Sequence, residues 1–264
     1  MALTVGSGPF GTKNKGQFNF DTGVLQSHTL YFEDSPRRVR AVFNGEVVAD
    51  SEKAKMLHET GHLPLYYFPE EDVNWDLLHE TAHTTHCPFK GDAAYWSVRV
   101  GDREAENAVW GYPEPLEQSP WLAGYVSIYF NSMDRWMEEE EEITAHPRDP
   151  YHRVDILESS RYVKVTVGGQ TVAETERPRV LFETGLPPRY YIPPEDVNPG
   201  LLADSDTQTH CPYKGAASYR SVEANGETLA DAAFYYPEPL PEAGKIGGYL
   251  CFLGEGVETE VDGR

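Results

Sequence analysis

A chain of 264 residues is long enough for two ordinary domains, each with a core of its own, and its 39% hydrophobic and 12% aromatic content belongs to a globular protein, not a disordered one. The formal net charge of −21 at pH 7 repels phosphate backbones and anionic bilayers, so neither nucleic acid nor a membrane surface is an expected partner. No apolar run of about 18 residues supplies a spanning helix.

In chain order, residues 1–27 are rich in Gly, Lys and Asn and read as an extension. They lack the apolar stretch of a secretory signal, so the expected location is cytoplasmic. Three cysteines, Cys87, Cys211 and Cys251, make no disulfide framework, which fits a reducing compartment. Next, residues 38–43 and 46–49 flank Asn44-Gly45, whose two residues tolerate the positive φ angles of a tight hairpin turn. Strands are predicted over 65–68, 94–100, 108–112 and 125–130. One short helix is predicted over 69–78, with Glu70, Glu71 and Asp72 in its first turn, where the helix dipole favours acids. Residues 132–151, Glu-rich and then Pro-containing, read as a linker, with Glu138 to Glu142 solvated.

After the linker the same pattern returns. Residues 59–98 align without a gap on 183–222, more than half of the positions being identical, at a shift of 124 residues. The same shift carries Tyr112-Pro113-Glu114-Pro115-Leu116 onto Tyr236-Pro237-Glu238-Pro239-Leu240, and His28 onto His152. A register held this long means duplication. The reading is two similar compact domains in tandem, over 28–131 and 152–264, mainly β with an α+β arrangement left open. The 16 tyrosines, 20 prolines and 23 glycines fit many short strands with tight connections.

The string Thr85-His86-Cys87-Pro88-Phe89-Lys90-Gly91, echoed by Thr209-His210-Cys211-Pro212-Tyr213-Lys214-Gly215, resembles the family called domain of unknown function 427. So do the Tyr-Tyr-x-Pro and Tyr-Pro-Glu-Pro blocks. The resemblance implies a small, mainly β domain of β-tent type and no particular activity. A nucleotidyltransferase label is attached to that family. Such chemistry wants a Gly-Ser turn shortly before paired carboxylates, whereas Gly6-Ser7 lies far from Asp204-Ser205-Asp206, and the first copy has Glu80-Thr81-Ala82 at the matching place.

Chemistry-bearing residues cluster in the repeated block. His86, Cys87 and Lys90, with His210, Cys211 and Lys214, place a base, a soft nucleophile and a cation on one turn. Glu59 and Glu183 are candidate general bases, and these eight residues form the catalytic expectation. Tyr66, Tyr67, Tyr95 and Trp96, with Tyr190, Tyr191 and Tyr219, are the expected walls of a ligand pocket. Against this stands a structural reading in which Pro88 and Gly91 make a rigid turn, Cys87 is a small buried residue and Lys90 pairs with a carboxylate.

Copy one also matches His-Glu-x-x-His twice, at His58–His62 and His79–His83. A zinc protease needs both histidines on one helical face, and Gly61 and Pro64 break any helix at the first match. The histidines His79, His83 and His86, with Cys87, leave a metal site private to copy one open. No dinucleotide or phosphate-binding loop occurs, so cofactors stay unassigned. Three readings follow: a small-molecule-binding protein, as an enzyme doing acid–base chemistry (isomerisation, dehydration or hydrolysis) on a polar metabolite; a non-catalytic module with a protein partner; or a metal-dependent enzyme. Differences between the copies, such as Trp96 against Arg220, suggest that their pockets are not equivalent.

Overall fold

The structure, a computed structural model, describes residues 3–13, 16–19 and 28–263. The extension read from the sequence therefore lies partly outside the described residues. The chain forms two compact units, one built around Pro9–Asp149 and one around Pro150–Arg264. Among the described residues no helix is long and apolar enough to cross a membrane.

The first unit is built from β1 (Leu30–Asp34), β2 (Val39–Phe43), β3 (Glu46–Ser51), β4 (Lys55–Glu59), β5 (Leu65–Pro69), β6 (Leu78–Cys87), β7 (Gly91–Val100), β8 (Arg103–Gly111), β9 (Tyr125–Ile128), β10 (Arg135–Glu138) and β11 (Glu141–Ile143). Seven strands form one antiparallel sheet in the order β1-β4-β5-β9-β8-β7-β6, and four form a second, β11-β10-β2-β3. The second unit repeats the plan with β12 (Val154–Glu158), β13 (Val163–Val167), β14 (Gln170–Thr175), β15 (Arg179–Glu183), β16 (Arg189–Ile192), β17 (Leu202–Cys211), β18 (Gly215–Ala224), β19 (Glu227–Tyr235), β20 (Leu250–Phe252) and β21 (Val257–Val261). Its long sheet runs β12-β15-β16-β20-β19-β18-β17, the topology of the first, and its small sheet runs β14-β13-β21.

The predicted hairpin is β2–β3. Asn44 and Gly45 take φ of 47° and 85°, and Gly168 and Gly169 take 55° and 76° in the second copy, as a two-residue turn of this hand demands. The small sheet packs on one face of the long sheet around a core that includes Val39, Ala41, Tyr66, Phe68, Val98, Val126 and Trp136. The opposite face of the long sheet carries its own cluster, with Leu57, Tyr67, Tyr95, Trp110, Tyr112 and Leu122. Copy two has the same two layers.

Three expectations change. The helix over 69–78 is a pair of 3-10 turns, Glu70–Asp72 and Trp75–Leu77, because β5 ends at Pro69 and β6 begins at Leu78, leaving no room for more. The linker over 132–151 contains β10 and β11, so the first domain runs past residue 131. Charge misled here: Glu138 is buried, accepting from the Tyr66 hydroxyl at 2.6 Å and pairing with Arg37, while Glu139 to Glu142 are exposed as read. The His-Glu-x-x-His strings lie on or beside strands, the first at the end of β4, where Gly61 and Pro64 already argued against a helix, and the second within β6.

Candidate functional site

Glu59 closes β4 opposite Leu30. Two residues along a strand share a face, so Glu59 follows Leu57 onto the outer face, away from the small sheet. Lys90 lies in the turn between β6 and β7. On the sheet, β4 and β7 are four strand spacings apart, roughly 20 Å if flat. Yet the Lys90 ammonium bonds the Glu59 carboxylate directly. The sheet must therefore curl until its margins meet at this corner, and the ion pair is the clasp.

His28, just before β1, completes the group, its Nε2 lying 2.9 Å from Glu59 Oε1. Phe89 stacks on the imidazole with ring centres 3.8 Å apart. The second copy reproduces each contact. His152 Nε2 is 3.0 Å from Glu183 Oε1, Lys214 Nζ donates to both Glu183 oxygens at 2.6 and 2.5 Å, and Tyr213 stacks on His152 at 3.8 Å.

The repeated motifs now have physical causes. Gly91 takes φ of 106°, and a β-carbon there would sit 3.3 Å from the Glu114 carbonyl oxygen. The Leu116 amide donates to the Lys90 carbonyl at 3.0 Å. Thus the Tyr-Pro-Glu-Pro-Leu segment lays its backbone against the Lys-Gly turn, holding the lysine in place. In copy two Gly215 has φ of 98°, with the Glu238 oxygen again 3.3 Å away, and Leu240 donates to Lys214 at 3.0 Å.

Burial alone would push the Glu59 and Glu183 carboxyls up. The Lys90 hydrogen bond and charge, helped by His28, outweigh it and hold Glu59 below the usual range. At Glu183 the His152 hydrogen bond and Lys214 do the same, holding it at about 2. Beside each carboxylate lies a fully buried phenol, Tyr67 and Tyr191, whose hydroxyl has no hydrogen-bond partner. Burial first, then the neighbours Tyr112 and Glu59, push the Tyr67 hydroxyl well up, and the Trp110 side chain close to it opposes this without reaching hydrogen-bond geometry. For Tyr191 the causes are burial, then Cys251 and Tyr236. A buried hydroxyl left unpaired costs about 1–3 kcal/mol, so the same orphan kept in both copies asks for a reason.

The structure divides the residues expected from the sequence. Glu59 joins Lys90, and Glu183 joins Lys214. His86 does not join them: it stands exposed on the edge strand β6, its Nδ1 2.6 Å from Asp92 Oδ1. His210 is likewise exposed on β17, and Cys87 and Cys211 are half-buried at the strand ends. Tyr67, Tyr191, Tyr95 and Tyr219 belong to the outer face, where Tyr95 and Tyr219 share hydrogen bonds with Thr85 and Thr209 at 2.9 and 3.0 Å. Tyr66, Tyr190 and Trp96 alternate to the inter-sheet core and do not line this site. The Trp96-to-Arg220 difference therefore falls on the other face, where Arg220 pairs with Asp204. Sequence reasoning missed His28 and His152 as members of the site, although the shift of 124 relates them, as well as Tyr112, Tyr236 and the stacking rings of Phe89 and Tyr213.

The histidines of copy one are dispersed. His79 bonds Glu104 at 3.1 Å, His83 meets Tyr95 edge-on at 4.5 Å, and the buried His58 bonds Glu33 at 2.8 Å. Among the described residues no three His, Cys, Asp or Glu side chains are grouped to hold a metal ion. A strand sends neighbouring side chains to opposite faces, and the irregular register between Glu80 and Thr84 separates them further. Cys251 is buried, and burial pushes its thiol up to about 12.

Duplicated long sheets, each curled and clasped by a buried His–Glu–Lys group, define a tandem β protein with two equivalent corners. The family model described as Domain of unknown function (DUF427) matches residues 31–139 and again 155–263, and the chain belongs to that family in two copies. No curated protein matches the chain.

Proposed function

We propose that each copy binds a small polar molecule on the outer face of its long sheet, beside the His–Glu–Lys group. The observation carrying this reading is the buried, unpartnered hydroxyl of Tyr67, repeated by Tyr191. The Glu59 and Glu183 carboxylates are paired with Lys and His within the protein, whereas these hydroxyls are not, so a ligand reaching them must open the packing that buries them. A ligand oxygen or nitrogen at that place would meet a phenol, a carboxylate kept ionised, a lysine and a histidine ring. Those groups suit the recognition of a polar ligand by hydrogen bonds and charge. Glu59 and Glu183, held below the usual carboxylate range, are weak proton acceptors, which favours binding over proton abstraction by them.

The test uses Tyr67→Phe and Tyr191→Phe together. Removing orphaned hydroxyls raises the stability of the empty protein by about 1 kcal/mol or more, read by urea unfolding. The same variant loses any metabolite that wild-type protein retains in native mass spectrometry, and loses the thermal shifts that a panel of small hydroxy- and keto-acids produces. A stabilised variant with unchanged retained masses and unchanged shifts would sink the proposal and leave the corner a purely structural clasp.

A further inference from the structure

The two copies differ where β10 and β21 lie against the inter-sheet core. Trp136 stands opposite Ala41 in β2, and Thr259 stands opposite Val165 in β13, the residue that matches Ala41. Trp136 and Thr259 are therefore structural equivalents. In copy one the indole is buried, stacked on Phe130 with ring centres 5.0 Å apart and an interplanar angle of 6°. Its Nε1 donates to the Phe130 carbonyl at 2.9 Å. In copy two Phe130 is matched by Gly254, since Tyr129 and Leu253 make the same backbone bond to Ala108 and Ala232. Both rings of the stacked pair are gone.

The place they vacate is a cleft of about 250 Å³, lined by Val165, Tyr190, Phe252, Thr259 and Val261, with Pro187 and Pro188 beside it. Most of its lining faces the inter-sheet core, while Arg189 and Cys251, which alternate to the other face, also line it. Besides Arg189, two further polar groups bear on it, Tyr190 in its wall and Gly254 next to the lining residue Leu253. The Gly254 carbonyl accepts only the Val257 amide, at 3.3 Å, whereas the Phe130 carbonyl accepts both the Met133 amide and the Trp136 ring. A carbonyl oxygen has two lone pairs, so one is open. Tyr190 has lost the acceptor that its equivalent Tyr66 finds in Glu138, because Val261 occupies that place opposite Val163.

We infer that copy two holds a binding site for a small, flat, bicyclic aromatic bearing a ring N–H, the indole class, which occupies the cleft as Trp136 fills its twin. Apolar walls supply the affinity, and the Gly254 carbonyl sets the orientation. Copy one is closed to such a ligand by its own tryptophan.

Ligand-observed NMR with indole and the full chain tests this. Wild-type protein binds one indole per chain with a dissociation constant of about 0.1–1 mM, the range expected for so small a ligand. 1-Methylindole, which lacks the N–H, binds roughly fivefold more weakly, the worth of one hydrogen bond. Thr259→Trp supplies the plug of copy one and abolishes binding. No saturable binding by the wild type, equal affinity for 1-methylindole, or undiminished binding by a folded T259W would overturn the proposal. So would a clear preference for a tryptophan-containing peptide such as Gly-Trp-Gly over free indole, which would assign the cleft to a protein partner.

Discussion

Gly91 shows how a single residue can carry a motif. At φ of 106°, with a carbonyl oxygen 3.3 Å from the position of a β-carbon, no other residue fits without displacing the Tyr-Pro-Glu-Pro-Leu segment. Gly91→Ala should destabilise the protein by about 1–3 kcal/mol, measured by urea unfolding, since both the backbone conformation and the close approach are lost. Adjacent tyrosines make the complementary point. Tyr66 and Tyr67 are neighbours in sequence and equally buried, yet one donates to Glu138 across the inter-sheet core and the other faces the clasp with its hydroxyl unpaired. Their difference is the period-2 alternation of a strand, which the sequence states only once the strand's register is known. Asn107 and Asp231 show the reverse, a local conformation with a local cause. Both take positive φ at a register shift, where their side chains bond Thr81 and Ser205. Asn and Asp tolerate that conformation, and the bulge needs it.

At the scale of elements, the Glu59–Lys90 pair joins a strand near one margin of the sheet to the turn at the other. Removing one partner strands a buried charge, so Lys90→Met should cost about 3–5 kcal/mol by urea unfolding. Combining it with Glu59→Leu should recover much of that loss, because no unpaired charge is left. Recovery in the double variant would mark the pair as a register device, while a loss of ligand response with recovered stability would show that the same residues serve binding. On the other face, Trp136 locks β10 onto the core of copy one. Trp136→Ala should destabilise that copy by about 3–5 kcal/mol, whereas substitution of the exposed Thr259 to Ala should leave stability within about 0.5 kcal/mol. Equal effects at the two positions would contradict the equivalence drawn from strand register.

The whole molecule carries the signature of its clasps in its response to acid. Glu183 is held at about 2 in the folded protein, below its ordinary value of 4.5. A depressed carboxyl contributes stability above the unfolded value and loses it as pH falls through the folded one. Its contribution, on the order of 3 kcal/mol, is therefore present at pH 6 and disappears between about pH 4.5 and 2. Glu59 is shifted in the same direction. Wild type and Glu183→Gln should converge in unfolding free energy across that window, and a gap unchanged from pH 6 to pH 2 would contradict the electrostatic account. The tyrosines Tyr67 and Tyr191, raised by burial, stay neutral throughout and play no part in this pH range.

Duplication, β content, the hairpins and, as one of two readings, the pairing of Lys90 with some carboxylate were legible in the chain itself, because each rests on local chemistry or on self-similarity. That the carboxylate is Glu59 was not. A shift of 124 residues needs no structure to be seen, and Asn-Gly turns, alternating strands and acidic surfaces follow from chemistry between near neighbours. The partnership of His28 with Glu59, the exclusion of His86, the burial of Glu138 and the cleft beside Thr259 depend instead on which strands lie side by side and how far the sheet curls. Those contacts join residues distant along the chain, and their energy comes from the desolvated space that the folded sheets enclose, a space that only folding creates.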